Sequence, residues 1–195
     1  MKQNRQFDPA SIQAAPARPR LLLHSCCGPC STAVLESLLP YFDVDILYFN
    51  PNIRPREEYD RRVQAQRDVL EKMPLTRPVG LFVCDYEPDV FTEAVRGLES
   101  EPEGGARCRV CFRLRLEETA RRAKEAGYDA FTTTLSVSPH KNAAALNEAG
   151  AQASKKFGVQ YLRADFKKNN GYLRSVELSR DLGIYRQKYC GCKPG

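Results

Sequence analysis

Short apolar runs alternate with amphipathic stretches along most of the chain, and this alternation constrains the fold more than any other feature. Five runs have the length and composition of strands: 21–25, 44–50, 80–86, 129–134 and 159–164. Six other stretches show helical periodicity: 29–39, 55–73, 87–98, 109–126, 141–157 and 171–182. Strands joined through helices run parallel, and a parallel sheet needs cover on both faces. The pattern therefore predicts an α/β protein with a mostly parallel sheet flanked by helices.

The 195-residue chain divides into a short N-terminal segment and one domain. Residues 1–20 lack the alternation and contain Pro9, Pro16 and Pro19, so we expect a flexible N-terminal tail. Residues 21–195 show no internal repeat, and we expect them to form a single α/β domain. No apolar run approaches the roughly 18 residues of a membrane span, which predicts a protein that does not cross a membrane. The formal net charge of +6 favours anionic partners only slightly.

The eight cysteines form three groups and one isolated residue. Because residues 1–20 contain no apolar segment typical of secretory signal peptides, we expect a reducing, cytoplasmic compartment and a disulfide-free protein. Closely spaced cysteines in such proteins usually bind metal. The groups are Cys26, Cys27 and Cys30; Cys108 and Cys111; and Cys190 and Cys192, with Cys84 alone.

The first group directly follows the strand predicted at 21–25. In an open parallel sheet, ligands gather beyond the carboxyl ends of the strands. Neither GxGxxG nor GxxxxGK followed by Ser or Thr occurs in the chain, so a thiol-rich loop stands where nucleotide-binding proteins place a phosphate loop. The sequence therefore predicts metal-binding loops at this edge of the sheet.

Seven grouped thiols exceed the four that one tetrahedral site uses. Four ligands suit a zinc ion or a 4Fe-4S cluster, and three suit a second, mononuclear metal with an open position. The i, i+3 spacing within the first two groups brings each pair to one side of a helix start. We assign Cys26, Cys108, Cys111 and Cys190 to the cluster and Cys27, Cys30 and Cys192 to the second metal, although spacing does not distinguish Cys190 from Cys192.

Two structural zinc ions are the strongest alternative, and a thioredoxin-like redox pair is a weaker one because it leaves five thiols unexplained. Cys84 is expected to be a buried thiol inside a strand. His24 is expected to be a hydrogen-bonded strand histidine beside the metal ligands. For His140, a capping or surface role and a contact with substrate both stay open.

Five segments resemble the QueH family of epoxyqueuosine reductases. They are HSCCGPCS (24–31), FNPNIRPREEYDRR (49–62), CRVCFRLRLEETARRAKEAG (108–127), TTLSVSPHKN (133–142) and GIYRQKYCGC (183–192). The resemblance implies reductive removal of the epoxide oxygen of epoxyqueuosine at the tRNA wobble position, without cobalamin. This is the last step of queuosine biosynthesis. It also implies an iron–sulfur cluster beside a second iron, on a Rossmann-like fold of the HUP class, related to adenine-nucleotide α-hydrolases. Some members carry Asp at the position of Cys30.

Reduction of an epoxide to an alkene needs two electrons and two protons. No NAD or flavin fingerprint is visible, so we expect an external, ferredoxin- or flavodoxin-like electron donor. Tyr48, Tyr185 and Tyr189 are candidate proton donors.

The implied substrate is part of a folded RNA, so the protein must contact phosphates. The candidate contacts are Arg54, Arg56, Arg61, Arg62, Lys141, Lys167, Lys168 and Arg174. Two other functions stay open at this point. An iron–sulfur tRNA thiolase of the PP-loop type needs an SGGxDS-like loop where HSCCGPCS stands, and a non-catalytic, zinc-stabilised RNA-binding module needs no redox centre.

Overall fold

The computed structural model describes residues 6–13 and 18–192. Within them the strands are β1 (Arg20–His24), β2 (Asp43–Tyr48), β3 (Leu81–Val83), β4 (Ala130–Thr133) and β5 (Gln160–Tyr161). The α-helices are α1 (Gly28–Leu38), α2 (Arg56–Lys72), α3 (Pro88–Ala94), α4 (Ala106–Glu125), α5 (Ala143–Phe157) and α6 (Gly171–Asp181), and two short 3-10 helices cover Pro9–Ser11 and Thr134–Val137. Each predicted strand and helix has a counterpart at the expected place in the chain, although β3 and β5 are shorter than predicted, and the expected α/β class is confirmed. None of the described helices is long and apolar enough to cross a membrane.

All five described strands run parallel, in the spatial order β3-β2-β1-β4-β5. Leu21 of the central strand pairs with Val44 on one side and with Ala130 on the other. The strand order reverses between β1 and β4, and a crevice opens beyond the carboxyl ends of two such strands. The first cysteine group follows β1, so it lies at this crevice.

The two faces of the sheet are buried under different helices. On one face, Leu21, Leu23 and Ile46 pack with side chains of α1, including Val34 and Leu38. On the other face, the second apolar cluster joins residues of β1 and β4 to side chains of α4 and α5, among them Leu22, Phe131, Phe112, Leu116, Ala120 and Leu146. Neighbouring residues of β1 thus point to opposite faces, which explains its continuous apolar run.

Part of the segment expected to be a flexible tail packs on the domain. Phe7 contacts the ring of Phe166 at a centroid separation of 5.7 Å and forms a bridge with Ala164. Ile12 is buried in the core that lies under α1. This differs from the expectation because isolated apolar residues leave no periodic signal and are recruited only by tertiary packing. Residues 1–5 and 14–17 of that expected tail lie outside the described residues.

Candidate metal centre

Three thiols converge where β1 ends and α1 begins. The Sγ atoms of Cys27 and Cys30 are 2.8 Å apart, and those of Cys26 and Cys27 are 3.8 Å apart. All three sulfurs lie within 4.8 Å of one another, so this triad could hold a metal ion. Cys27 is the residue before the first turn of α1 and has an extended backbone, whereas Cys30 lies inside that turn. The predicted convergence of Cys27 and Cys30 is confirmed.

Gly28 fixes the position of this helix start. A β-carbon at residue 28 would lie 2.3 Å from the carbonyl oxygen of Ala65 in α2. Real Cβ atoms do not approach backbone so closely, and the clash could be relieved only by moving one helix. The absence of a side chain at Gly28 therefore allows α1 to pack tightly on α2 and sets where the thiols of Cys27 and Cys30 stand.

The other four grouped thiols line one small cavity, together with Phe91 and Arg107. Cys108 and Cys111 lie at the start of α4 and are buried, whereas Cys190 and Cys192 are half-buried. The thiols that lie together in space differ from the two ligand sets assigned from the sequence. Cys26 lies with Cys27 and Cys30, and Cys192 lies with Cys108, Cys111 and Cys190.

Arg62 of α2 holds the segment that carries the third cysteine pair. Its Nη1 donates to the carbonyl of Cys190 at 3.0 Å and its Nη2 to the carbonyl of Tyr189 at 3.1 Å. Its Nε donates to Glu58 at 2.7 Å, and the Arg62 side chain is almost fully buried. Arg62 was expected to contact RNA, but its hydrogen bonds and burial give it a structural task instead.

Gly191 lies directly against this guanidinium. Its φ of +94° is in the left-handed region, and a β-carbon there would approach the Arg62 side chain to 3.1–3.3 Å. Glycine is required here by the backbone conformation and by the nearby arginine.

Arg115 of α4 lies between the two thiol groups and is only 2% exposed. Its Nη1 is 3.7 Å from the Sγ of Cys111, its Nε is 3.3 Å from Nε2 of His24, and its Nη2 donates to Asn50. Neither Arg115 nor Asn50 was among the site residues predicted from the sequence. The signal was present for Arg115, because a residue four positions after Cys111 on a helix shares its face.

His24 is fully buried and hydrogen-bonded, as expected. Its Nδ1 is 2.9 Å from Thr133 Oγ1 and its Nε2 is 3.1 Å from the carbonyl oxygen of Phe49. Burial, followed by the charge of Arg115, lowers the pKa of His24 to about 3. The imidazole is therefore neutral at neutral pH and adds no charge beside the thiols. His140 is exposed, in agreement with the surface role considered for it.

Each thiol group favours one thiolate. Hydrogen bonds from the thiols of Cys27 and Cys30 hold the pKa of Cys26 well below its usual value. A hydrogen bond from Cys192 and then, against the opposing effect of burial, the charges of Lys141 and Arg115 lower the pKa of Cys190 to about 5. Burial raises the pKa of Cys27 to about 12. Anionic sulfur is thus stabilised at one point in each group, which suits the binding of cations.

The three candidate tyrosines have different surroundings. Tyr48 is fully buried, and burial followed by the charge of Cys27 raises the pKa of its hydroxyl well above its usual value. The hydroxyl of Tyr185 donates to Glu58 at 2.9 Å. The Arg62 guanidinium carbon lies over the ring of Tyr189, 5.2 Å from the ring centroid. The Tyr185 hydroxyl is thus engaged by a carboxylate, whereas the buried Tyr48 hydroxyl has no hydrogen-bond partner among the described residues.

Several buried polar atoms near the thiols lack a hydrogen-bond partner within the described residues. They include the hydroxyl of Tyr48, Nε of Arg107 and Oε1 of Gln187. Arg107 lines the cavity of four thiols, and Gln187 lies three residues before Cys190 in the sequence. Unpartnered buried polar groups are rare in folded proteins and mark places that accept a further group. The surroundings therefore fit a bound metal centre with polar neighbours.

The basic residues predicted to contact RNA divide into two sets. Arg56, Arg61, Lys168 and Arg174 are exposed, and Lys167 is half-buried beside Asp165. Arg56 and Arg174 pair with exposed carboxylates at 2.9 and 2.7 Å, and such surface pairs are weak enough to exchange for phosphate.

Two of these basic residues, like Arg62, make their contacts inside the protein rather than at its surface. Arg54 donates to the carbonyl of Pro88 at 3.0 Å and is half-buried. Lys141 lies 3.6 Å from the Sγ of Cys190 and 2.7 Å from Glu103, with its side chain only 10% exposed. Lys141 is therefore a neighbour of the thiols rather than a surface cation.

Cys84 is separate from both thiol groups. β3 ends at Val83, so Cys84 lies just after the strand and is half-buried, rather than inside the strand as expected. It lines a different, open cavity of about 440 Å³ with residues that include Phe49, Leu114 and Glu118. Burial raises the pKa of its thiol to about 11, which keeps it protonated.

Comparisons with known proteins point in one direction. Residues 21–194 match the family model described as epoxyqueuosine reductase QueH. A protein of that name from Streptococcus pyogenes serotype M1 is 46% identical over 177 residues, covering 90% of this chain and 69% of the relative. The Staphylococcus epidermidis protein is 46% identical over 90% of this chain and 75% of the relative, and the Thermotoga maritima protein is 36% identical over 88% of both.

Proposed function

Because this chain belongs to the QueH family of epoxyqueuosine reductases, we propose that its seven grouped thiols form the redox centre of that reaction. The protein is an oxidoreductase of queuosine biosynthesis. Family membership sets aside the tRNA thiolase and the zinc-stabilised RNA-binding module that the residues alone left open. The redox centre, its ligands, the proton donor, the electron donor and the path of the tRNA are parts of the proposal.

The observation that carries the proposal is the division of the thiols into a group of four and a group of three. Cys108, Cys111, Cys190 and Cys192 line one cavity and supply the ligand number of a 4Fe-4S cluster. Cys26, Cys27 and Cys30 supply three ligands for a mononuclear iron and leave one tetrahedral position for substrate. When bound, these centres supply the electrons and a Lewis-acidic position for the epoxide oxygen.

The fold supports this location. The strand order with its reversal between β1 and β4 is that of Rossmann-like sheets, which supports the HUP-like assignment. The triad stands directly after β1, at the crevice where such sheets bind their ligands. Gly28 keeps α1 pressed on α2, so the thiols of Cys27 and Cys30 are held by two packed helices rather than by a mobile loop.

Tyr48 is the proton donor that the surroundings favour. Two protons are consumed when the epoxide oxygen leaves as water. The Tyr48 hydroxyl is buried near Cys27, remains protonated at neutral pH and has no hydrogen-bond partner among the described residues. Tyr185 is engaged by Glu58, and Tyr189 packs on Arg62. A Tyr48→Phe variant should retain iron and lose turnover.

The electrons come from an external ferredoxin- or flavodoxin-like protein, because the chain carries no NAD or flavin fingerprint. The tRNA contacts the exposed basic residues Arg56, Arg61, Lys168 and Arg174, and also Lys167, which precedes Lys168. Their positive charge attracts phosphate without reading sequence.

Alanine variants of two cysteines test which thiols bind the cluster and which bind the second metal. Wild-type protein, Cys192→Ala and Cys26→Ala are purified without oxygen, and iron, sulfide and the absorption at about 400 nm are measured. We expect Cys192→Ala to lose the cluster and Cys26→Ala to keep it without turnover. Cys84→Ala is the control, since its thiol lies in neither group.

Two outcomes contradict the proposal. Loss of the cluster in Cys26→Ala with full retention in Cys192→Ala would assign Cys26 to the cluster and Cys192 to the second metal. Absence of iron and sulfide from the wild-type protein would reject the redox centre itself.

A further inference from the structure

A buried guanidinium joins the two thiol groups. Arg115 is 2% exposed, and its hydrogen-bonding partners are His24, Asn50 and the thiol of Cys111. None of these partners is a carboxylate. An isolated buried cation is strongly unfavourable in a folded protein unless an opposite charge accompanies it.

Thiolates that bind metal would supply the opposite charge for Arg115. Arg115 lines the cavity of the four thiols with its Nη1 3.7 Å from the Sγ of Cys111, and the charge of its guanidinium also reaches Cys26 in the group of three. Cys111 and Cys190 belong to the group of four thiols, and Cys26 belongs to the group of three. One side chain therefore interacts with both groups at once.

The position of Arg115 is determined by the fold. Asn50, after β2, accepts from the guanidinium and donates its own amide to the carbonyl of Ser25 at 2.8 Å. Ser25 precedes the first thiol group directly. The chain Ser25–Asn50–Arg115–Cys111 thus connects the end of β1 to the start of α4 by buried hydrogen bonds, which leaves the guanidinium little freedom to turn away from the sulfurs.

We propose that Arg115 is a positioning residue that balances the negative charge of the two thiolate-bound centres and raises the reduction potential of the cluster. The proposal rests on the proposed function. A cluster gains one negative charge when it accepts an electron, and a fixed cation nearby in a medium of low dielectric stabilises that reduced form. Arg115 therefore makes the cluster easier to reduce by an external donor.

Three variants test this role. Arg115→Gln removes the charge and retains hydrogen-bonding capacity, whereas Arg115→Lys retains the charge. Arg113→Gln is the control, because Arg113 is exposed two residues earlier on the same helix. Each protein is purified without oxygen, iron and sulfide are counted, and a redox titration is followed by absorption and electron paramagnetic resonance. Thermal unfolding shows whether each variant is folded.

We expect the ratio of reduced to oxidised cluster at a fixed potential to fall at least about tenfold in Arg115→Gln, which equals about 59 mV for a one-electron couple. Arg115→Lys should stay within about threefold of wild type, since it carries the same charge. Arg113→Gln should match wild type. Loss of iron from a folded Arg115→Gln protein, with retention in Arg115→Lys, also supports the role of the charge.

Two results would overturn the role of Arg115. The first is an equal midpoint potential in wild type and Arg115→Gln. The second is that Arg115→Lys behaves like Arg115→Gln, in potential or in iron content, because shape rather than charge would then be required. Failure of the proposed function is seen separately, since the wild-type protein would itself show no cluster signal, and the proposal for Arg115 would then fall with it.

Discussion

Replacing Arg62 by alanine should release the segment that carries Cys190 and Cys192. Arg62 makes a 2.7 Å ion pair with Glu58 and donates to the carbonyls of Tyr189 and Cys190. Both charged side chains are at most 5% exposed, so removal of one partner leaves the other charge buried. Loss of one partner of a buried pair lowers the free energy of unfolding by about 3–5 kcal/mol. For a chain of this size, that corresponds to a fall in Tm of about 6–20 °C.

The assay combines thermal unfolding of the iron-loaded protein with iron analysis. We expect Arg62→Ala to lose iron as well as stability, because its guanidinium holds two carbonyls beside the third cysteine pair. Arg62→Lys should recover part of the stability through Glu58 but little of the iron, because an ammonium group does not reproduce the fork that reaches both carbonyls.

Arg61→Ala is the matched control for this prediction. Its side chain is 61% exposed and lies 4.0 Å from Glu58, so its removal should change stability little. An Arg62→Ala protein with wild-type Tm and iron content would contradict the structural role of Arg62, and so would equal losses in Arg61→Ala and Arg62→Ala.

Three further predictions follow from single contacts. Gly28→Ala should destabilise the protein by about 1–3 kcal/mol and reduce iron binding, because its β-carbon would meet the Ala65 carbonyl; a wild-type Tm would contradict the tight helix contact. Cys30→Ala should keep most of the cluster absorption and lose turnover, while Cys30→Asp keeps partial turnover, and loss of the whole cluster would make Cys30 one of its ligands. Reversal of Arg56 and Arg61 to Glu should weaken tRNA binding and flatten its salt dependence by about 1.4–1.8 in the log–log slope, and identical slopes would place the RNA on another face.

Local periodicity was enough to predict the elements of this fold. The alternation of apolar runs and amphipathic stretches reports which side chains leave water, and that pattern repeats within a few residues in strands and helices. The i, i+3 spacing of Cys27 with Cys30 has the same local origin, and the structure confirms that this pair converges. Such inferences succeed because the geometry of one helix turn or one strand is independent of the rest of the chain.

The tertiary structure decided which thiols lie together and which arginines reach them. Cys26 and Cys192 fall in groups other than those expected, because contacts between separate elements have no signature in spacing. Arg61 and Arg62 are adjacent in the sequence, yet one is exposed and the other is buried against a segment more than 120 residues away. The charge of Arg115 is likewise tied to the thiols by burial, and burial is a property of the whole packed molecule: it depends on which surfaces the other elements cover, which no stretch of a few residues specifies.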